Sequence, residues 1–397
     1  MEVKKPDTIV VYGTTWCPDC KAAKQFFGEQ RIPYENVDIE HDAEAMAYVE
    51  QVNNGMRSIP TIVFPDGSIM IEPTTAQLAE KLGLQTRARR SFYDAIIVGG
   101  GPAGLTAAVY LGRDGYDVLV IERAALGGQA GATASMENFP GFDEGVSGAD
   151  FAARMGRQVR RFSGEILQAQ AVTALDTEGP YLRVTTSDGT VYASKAVLLA
   201  TGARYRRLGV PGENELIGTS IHFCATCDGA FYKGKRVLVV GGGDSGFEEG
   251  LFLTRFAAQV DIIDNHPQPK ANRTAQQKVA QTPKMQVIRN HAVRSFKGGR
   301  KLESIMAENL ETGESQELHY DGVFVFIGLT PNNDLVKDKV EVNKNGFIVT
   351  ASNLMTSLPG LFSAGDVRAG ATHQAASAAG EGATAALMIR EYLRKVG

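Results

Sequence analysis

Asp94-Ala-Ile-Ile-Val-Gly-Gly-Gly-Pro-Ala-Gly104 decides the fold. It runs from an apolar, strand-like stretch through a glycine turn into the start of a helix. The next strand-like run ends on an acid, Glu122. Arg236-Val-Leu-Val-Val-Gly-Gly-Gly-Asp-Ser-Gly246 repeats the pattern, and its following strand ends on Asp264. Gly99, Gly101, Gly104 and Glu122 map onto Gly241, Gly243, Gly246 and Asp264 at one constant offset of 142 residues. A lone G-x-G-x-x-G is often a turn that binds nothing. A turn, helix and acid-ended strand repeated in register predicts two Rossmann-type dinucleotide units in an α/β chain.

The first unit is expected to hold FAD. Gly99 permits the tight turn, Gly101 lets backbone approach a pyrophosphate, and Gly104 lets helix and strand pack closely. Pro102 and Ala103 open the helix, whose N-terminus offers donors to phosphate. Glu122 is placed to accept from ribose hydroxyls. In the second unit Gly241, Gly243, Asp244, Ser245 and Gly246 are expected to hold a pyridine nucleotide. A carboxylate at Asp264 accepts from a ribose 2′-OH but repels a 2′-phosphate, which favours NADH over NADPH. The alternative is a vestigial second unit.

The wider sequence is consistent with a soluble α/β protein. The 397 residues suggest about two to four domains. Net charge is −4, with no basic stripe, so nucleic acid is a poor partner. No apolar run approaches membrane-spanning length. Val323–Leu329 is among the longest and reads as a buried strand. The N-terminus lacks a signal-like apolar region, so a cytoplasmic protein is expected.

The four cysteines form two C-x-x-C pairs, Cys17/Cys20 and Cys224/Cys227. In a reducing compartment this favours redox chemistry over structural crosslinks. Paired C-x-x-C zinc sites need close spacing, and these pairs are some two hundred residues apart, so no metal is expected. Asp228, directly after Cys227, is a candidate general acid/base for a leaving thiol. Cys17 falls at a helix N-terminus, where unpaired N–H groups favour a thiolate. Ser58-Ile59-Pro60-Thr61 fits a cis-proline turn beside it. Trp16 is read as a wall of that site rather than core packing, and His41 as a solvated helix-start residue.

Residues 1–84 read as a βαβαββα unit. Thr8–Tyr12, Tyr34–Ile39, Thr61–Phe64 and Ser68–Ile71 are strand-like. Pro18–Gln30 and Ala43–Val52 are helix-like, and a last helix, capped by Thr74 or Thr75, stops at Gly83. Residues 85–92, including the polar and basic Gln85–Ser91, read as a short linker. Near the C-terminus, Gly365-Asp366 precedes an alanine-rich helix, Gln374–Leu387.

With these residues in view, residues 93–397 resemble low-molecular-weight thioredoxin reductase. The resemblance lies in Gly99–Gly104, Gly127-Gly-Gln129, Glu137-Asn-Phe-Pro-Gly141, Ala200-Thr-Gly-Ala203, Cys224-Ala-Thr-Cys-Asp228, Ile327-Gly-Leu-Thr-Pro-Asn332 and Gly365-Asp-Val367. Residues 8–84 resemble glutaredoxins, mycoredoxin-like ones above all, through Tyr12-Gly-Thr-Thr-Trp-Cys17, Val37-Asp-Ile-Glu-His41, Val52-Asn-Asn54 and Ser58–Phe64.

The resemblance implies a thioredoxin-like glutaredoxin domain over 1–84, followed by a class II pyridine nucleotide-disulfide oxidoreductase. An FAD domain is implied at 93–207 and 329–397, and an NAD(P)H domain at 208–328. It implies a homodimer in which Gly128, Gln129, Asn138, Thr201, Gly202, Gly365, Asp366, Gln374 and Ala375 also contact FAD. Cys227 is implied to be the flavin-proximal thiol and Cys224 the exchanging one, with two alternating domain orientations.

Two positions depart from the family. Its NADPH-binding His-Arg-Arg, with a further Arg, falls on Asp264-Asn265-His266 and Lys270. Lys270 or Arg273 is a partial substitute. His373 stands where many relatives carry Arg. The fused layout is similar to the NADH-preferring flavoprotein of alkyl hydroperoxide reductase.

The expected activity is electron transfer from NAD(P)H through FAD and Cys224/Cys227 to Cys17/Cys20, then to small redox proteins or low-molecular-weight disulfides. A mycothiol or peroxiredoxin system is a candidate. The alternatives are a ferredoxin- or flavin-driven reductase with a degenerate NAD(P)H site, and a non-catalytic redox sensor.

Overall fold

The computed structural model describes residues 6–133, 135–136, 138–299 and 301–396, with residues 226 and 227 described by backbone alone. At the front, strands Ile9–Gly13, Tyr34–Asp38, Thr61–Val63 and Ile69–Ile71 form one sheet, in the order second, first, third, fourth. The first two are parallel and the remaining pairings antiparallel. Helices Pro18–Glu29, Ala43–Val52 and Thr75–Lys81 complete the expected βαβαββα order. Each begins where the sequence supplies a cap. Cys17 Sγ accepts from the Cys20 N–H, the Asp42 side chain accepts from Glu44 and Ala45, and Thr74 forms a capping box with Gln77. Val11, Phe27, Ile62 and Leu78 sit in the core between sheet and helices.

The doubled motif becomes a doubled architecture. Strands Phe92–Val98, Val118–Ile121, Glu165–Leu167 and Val191–Leu199 are parallel, and Leu361–Ser363 joins beyond Val191–Leu199. Strands Val172–Glu178 and Tyr181–Thr186 extend this sheet antiparallel. The second sheet is wholly parallel, in the order Ile221–His222, Gly322–Val325, Arg236–Val240, Gln259–Ile263, Met285–Ile288. It has its own antiparallel companion, His291–Gly298, Leu302–Asn309 and Ser315–Leu318. The central strands are covered on both faces, which is why they read as unbroken apolar runs.

Two expected boundaries differ. The C-terminal helix runs Ala375–Val396, past the expected Leu387, because Ile389 and Leu393 continue its buried stripe. It packs on helix Pro102–Arg113, and Gly382 permits this approach: a Cβ there would collide with the Ala103 carbonyl. The apolar run at Val323–Leu329 is not one strand. Strand Gly322–Val325 belongs to the second sheet, the chain turns at Gly328 (φ 105°), and Leu329–Pro331 pairs antiparallel with Ala203–Tyr205. These two short strands connect the nucleotide units.

The segment after Gly83 is held against the first nucleotide unit. Gln85 Nε2 and the Arg89 N–H both donate to Glu165 Oε2 at 3.0 Å, and the Gln168 N–H donates to the Gln85 carbonyl at 2.9 Å. The front domain also docks directly. Arg31 donates to the Leu126 carbonyl at 3.1 Å and the Gly128 carbonyl at 2.7 Å, while the Ala125 N–H donates to the Glu29 carbonyl at 3.0 Å. Among the described residues, no helix is long and apolar enough to cross a membrane.

Candidate redox and nucleotide site

Cys17 and Cys20 are free thiols at the start of helix Pro18–Glu29. Cys20 is fully buried and Cys17 is 5% exposed. Cys17 Sγ accepts from the Cys20 N–H at 3.2 Å and lies 3.8 Å from the Ile59 carbonyl, just before the cis Ile59–Pro60 peptide. Burial, then the hydrogen bond to Cys17, pushes the Cys20 thiol up to about 12. The pair is therefore asymmetric. Cys17 lies at the helix tip and Cys20 stays protonated behind it, as an attacking and a resolving thiol require. Trp16 is 63% exposed, with Nε1 donating to Glu40 at 2.9 Å, so it is no part of the core. His41 lies exposed just before the helix cap Asp42, as expected.

Cys224 is disulfide-bonded at the junction between strand Ile221–His222 and helix Ala225–Asp228. The Cys227 side chain, expected next to the flavin, lies outside the described residues. Asp228 Oδ2 lies 3.3 Å from His222 Nδ1, and His222 Nε2 lies 2.7 Å from the Tyr232 hydroxyl. Neither His222 nor Tyr232 was singled out by the sequence. A lone histidine in an apolar stretch looks like any strand residue, and its partners appear only once the following turn is folded.

The two glycine turns have matching constraints. Gly99 and Gly241 have φ of 109° and 131°, and a Cβ on either would strike a neighbouring carbonyl, Ala200 or Phe326. A Cβ on Gly104 or Gly246 would strike the carbonyl of Gly99 or Gly241. At Gly101 and Gly243 nothing lies within 4 Å of an added Cβ, so an open cradle faces each helix start. Pro102 and Asp244 begin those helices, with Ala103 and Ser245 in their first turns.

Distant segments converge on the first cradle. A Cβ at Gly128 would lie 3.4 Å from Gly101 Cα, and one at Gly365 would lie 3.1 Å from Ala103 Cβ. Thr201 Oγ1 donates to the Asn332 carbonyl at 2.6 Å, and the Asn332 N–H donates to the Gly202 carbonyl at 3.0 Å. Asn138 Nδ2 donates to Gln374 Oε1 at 3.2 Å, beside Ala375 at the start of the last helix. Asp366 lies 3.7 Å from His373 Nδ1. One supporting pair escaped sequence reading: Glu381 accepts from the Gly365 N–H at 2.8 Å and is clamped by Arg368.

The two strand-end acids differ. Glu122 Oε2 accepts from the Gly100 N–H at 2.7 Å and Oε1 from the Ala124 N–H at 2.8 Å, while burial pushes its carboxyl up. Asp264, 5% exposed, is 3.0 Å from His266 Nδ1 through Oδ1, and its buried Oδ2 has no partner among the described residues. An unfilled buried acceptor at this place suits a ribose hydroxyl. Both cradles therefore fit dinucleotides.

Gln129 also lines a cavity of about 830 Å³ with Arg204, Tyr205, Arg206, Arg207 and Phe223. Tyr205 and Phe223 stack there, with ring centroids 5.1 Å apart.

A pyridine nucleotide-disulphide oxidoreductase family model matches residues 93–382, and a glutaredoxin model matches residues 9–69. Thioredoxin reductase of Listeria innocua is 38% identical over 77% of this chain and 95% of its own length. The chain belongs to the thioredoxin reductase family. The bifunctional thioredoxin reductase/thioredoxin of Mycobacterium leprae is 38% identical over 77% of this reductase and 67% of its own length. The crystal structure of thioredoxin reductase from Streptococcus pyogenes superposes with a TM-score of 0.72 at 38% identity, covering 77% of this reductase and 99% of that chain. This reductase is thus a disulfide oxidoreductase with a glutaredoxin domain at its front, in a family that binds FAD and a pyridine nucleotide.

Proposed function

We propose that this reductase uses NADH to drive a two-stage dithiol relay, from Cys224/Cys227 to Cys17/Cys20 and on to external disulfides. The observation that carries the NADH preference is Asp264, a buried strand-end carboxylate whose Oδ2 has no hydrogen-bond partner among the described residues, a group that accepts from a ribose 2′-hydroxyl and repels a 2′-phosphate. FAD, when bound, accepts a hydride equivalent and passes two electrons to a disulfide.

We assign its binding to residues 93–207 and 329–397. Gly99, Gly101, Pro102, Ala103 and Gly104 face the pyrophosphate and Glu122 the adenosine ribose. Gly128, Gln129, Asn138, Thr201, Gly202, Gly365, Asp366, Gln374 and Ala375 lie along the remainder. We assign the pyridine nucleotide to residues 208–328, on Gly241, Gly243, Asp244, Ser245, Gly246 and Asp264.

The chain's own chemistry is thiol–disulfide exchange. Cys224 attacks a Cys17–Cys20 disulfide, Cys227 resolves the mixed disulfide, and Asp228 carries the proton between sulfurs. Cys17 then attacks the outside disulfide and Cys20 resolves it. Candidate acceptors are small redox proteins and low-molecular-weight disulfides, including those of a mycothiol or peroxiredoxin system. We further propose a homodimer working in a reducing cytoplasm, where free thiols at Cys17 and Cys20 persist.

Anaerobic stopped-flow mixing with NADH and with NADPH tests the donor. Flavin bleaching at least tenfold faster with NADH supports the reading. Equal rates contradict the preference, and failure of both nucleotides removes the nicotinamide step, leaving a ferredoxin-type or flavin-type donor.

A further inference from the structure

His222 is a buried histidine, 7% exposed, that the relay above leaves without a task. It lies between two groups that matter. Its Nδ1 is 3.3 Å from Asp228 Oδ2, and its Nε2 is 2.7 Å from the Tyr232 hydroxyl. Aromatic rings wall it in: the Tyr232 and Phe324 centroids each lie 5.3 Å from the imidazole. A polar ring in such surroundings is tolerated only with both nitrogens satisfied. Burial, followed by the charges of Asp228 and Asp321, pushes the Tyr232 phenol up to about 12, so it keeps its proton at neutral pH. A phenol donating to Nε2 leaves the ring proton on Nδ1, the nitrogen that lies 3.3 Å from the Asp228 carboxylate. Among the other titratable and charged groups, Asp321 and Lys235 face the Tyr232 phenol, and Tyr205 feels Asp228 together with Asp366 and Glu249.

We propose that His222 is a positioning residue for proton transfer at Cys224, acting through Asp228 and fixed in its tautomer by Tyr232. This rests on the assignment of Cys224 as the exchanging sulfur. In the exchange the Cys224 thiol loses its proton to the Asp228 carboxylate, and its sulfur bonds to one sulfur of the acceptor disulfide. The acceptor S–S bond breaks, and the departing thiolate takes the proton from Asp228, so the step is balanced without an added oxidant or reductant. His222 holds the carboxylate in place and supplies an N–H to its charged form before and after the transfer.

The test uses the full chain carrying Cys17→Ser and Cys20→Ser, reduced with dithiothreitol and desalted, so that only the second dithiol reacts. Bis(2-hydroxyethyl) disulfide is the probe, since its leaving thiolate needs a proton. Exchange is followed from pH 5.5 to 9 with His222 intact and in His222→Phe, His222→Asn and Tyr232→Phe. We expect His222→Phe to slow exchange about tenfold at pH 7, at the modest end of acid–base effects, and to displace the pH profile. His222→Asn keeps an N–H toward Asp228 and should return to within about threefold of the parent. Tyr232→Phe should displace the profile with a smaller loss.

A His222→Phe protein with the parent's rate and profile overturns the proposal. So do His222→Phe and His222→Asn proteins that are equally slow with an undisplaced profile, since the ring then merely fills space. The assay needs no nucleotide, so a failed NADH step appears separately, as a flavin that NADH cannot bleach in the parent.

Discussion

At the residue scale, chemistry is set by which polar atoms are filled and which are left open. Asp264 keeps one buried oxygen free, whereas both oxygens of Glu122 already accept backbone N–H groups. Asp264→Ala should raise the KM for NADH about tenfold, the cost of losing one charged hydrogen bond to a ribose hydroxyl, and narrow its advantage over NADPH. Steady-state kinetics with both nucleotides checks this. The buried thiol of Cys20 gives a pH prediction. Its folded-state pKa is raised, to about 12, so its contribution is complete below the unfolded thiol value and is lost as pH climbs through the folded one. Urea unfolding of the reduced protein should show stability falling between about pH 9 and 12, with a shallower fall in Cys20→Ala. Equal slopes would contradict the assignment. Cys17→Ser should abolish turnover of external disulfides while leaving flavin reduction by NADH intact, and unchanged turnover would show that the front domain is not the outlet.

At the scale of elements, close backbone approach matters more than side-chain identity. Gly246 lets helix Asp244–Leu253 start against the Gly241 carbonyl, and Gly104 does the same in the first unit. Gly246→Val should weaken pyridine nucleotide binding at least tenfold and lower thermal stability, while flavin content changes little. Calorimetric titration and flavin absorbance separate the two effects. Much of this level was legible in the sequence, because the 142-residue repeat is local pattern carried twice. Turn, helix and acid-ended strand are each fixed by neighbours within some twenty residues. What escaped depends on distant partners. The end of helix Ala375–Val396 is decided by its packing on Pro102–Arg113, and the split of Val323–Leu329 by pairing with Ala203–Tyr205. The Arg368–Glu381 clamp and the His222 line are visible only after folding.

At the scale of the molecule, the front domain is seated rather than hung on a tether. Arg31 donates to the Leu126 and Gly128 carbonyls just before Gln129, and residues 85–90 are bonded to the sheet of the first nucleotide unit. Arg31→Ala should therefore speed amide hydrogen exchange in residues 29–31 and 125–131, leaving the second nucleotide unit unchanged. Identical exchange there would argue that the domains move independently.

The central claim is that four sulfurs and one flavin form a single store of electrons filled by NADH. Anaerobic titration of the fully oxidised chain with NADH, counting equivalents before excess nucleotide accumulates, tests it most directly. Each disulfide and the flavin accept two electrons, so about three equivalents per chain are predicted. Uptake that stops at one equivalent, with all four cysteines still unreactive toward alkylating reagent, would contradict it.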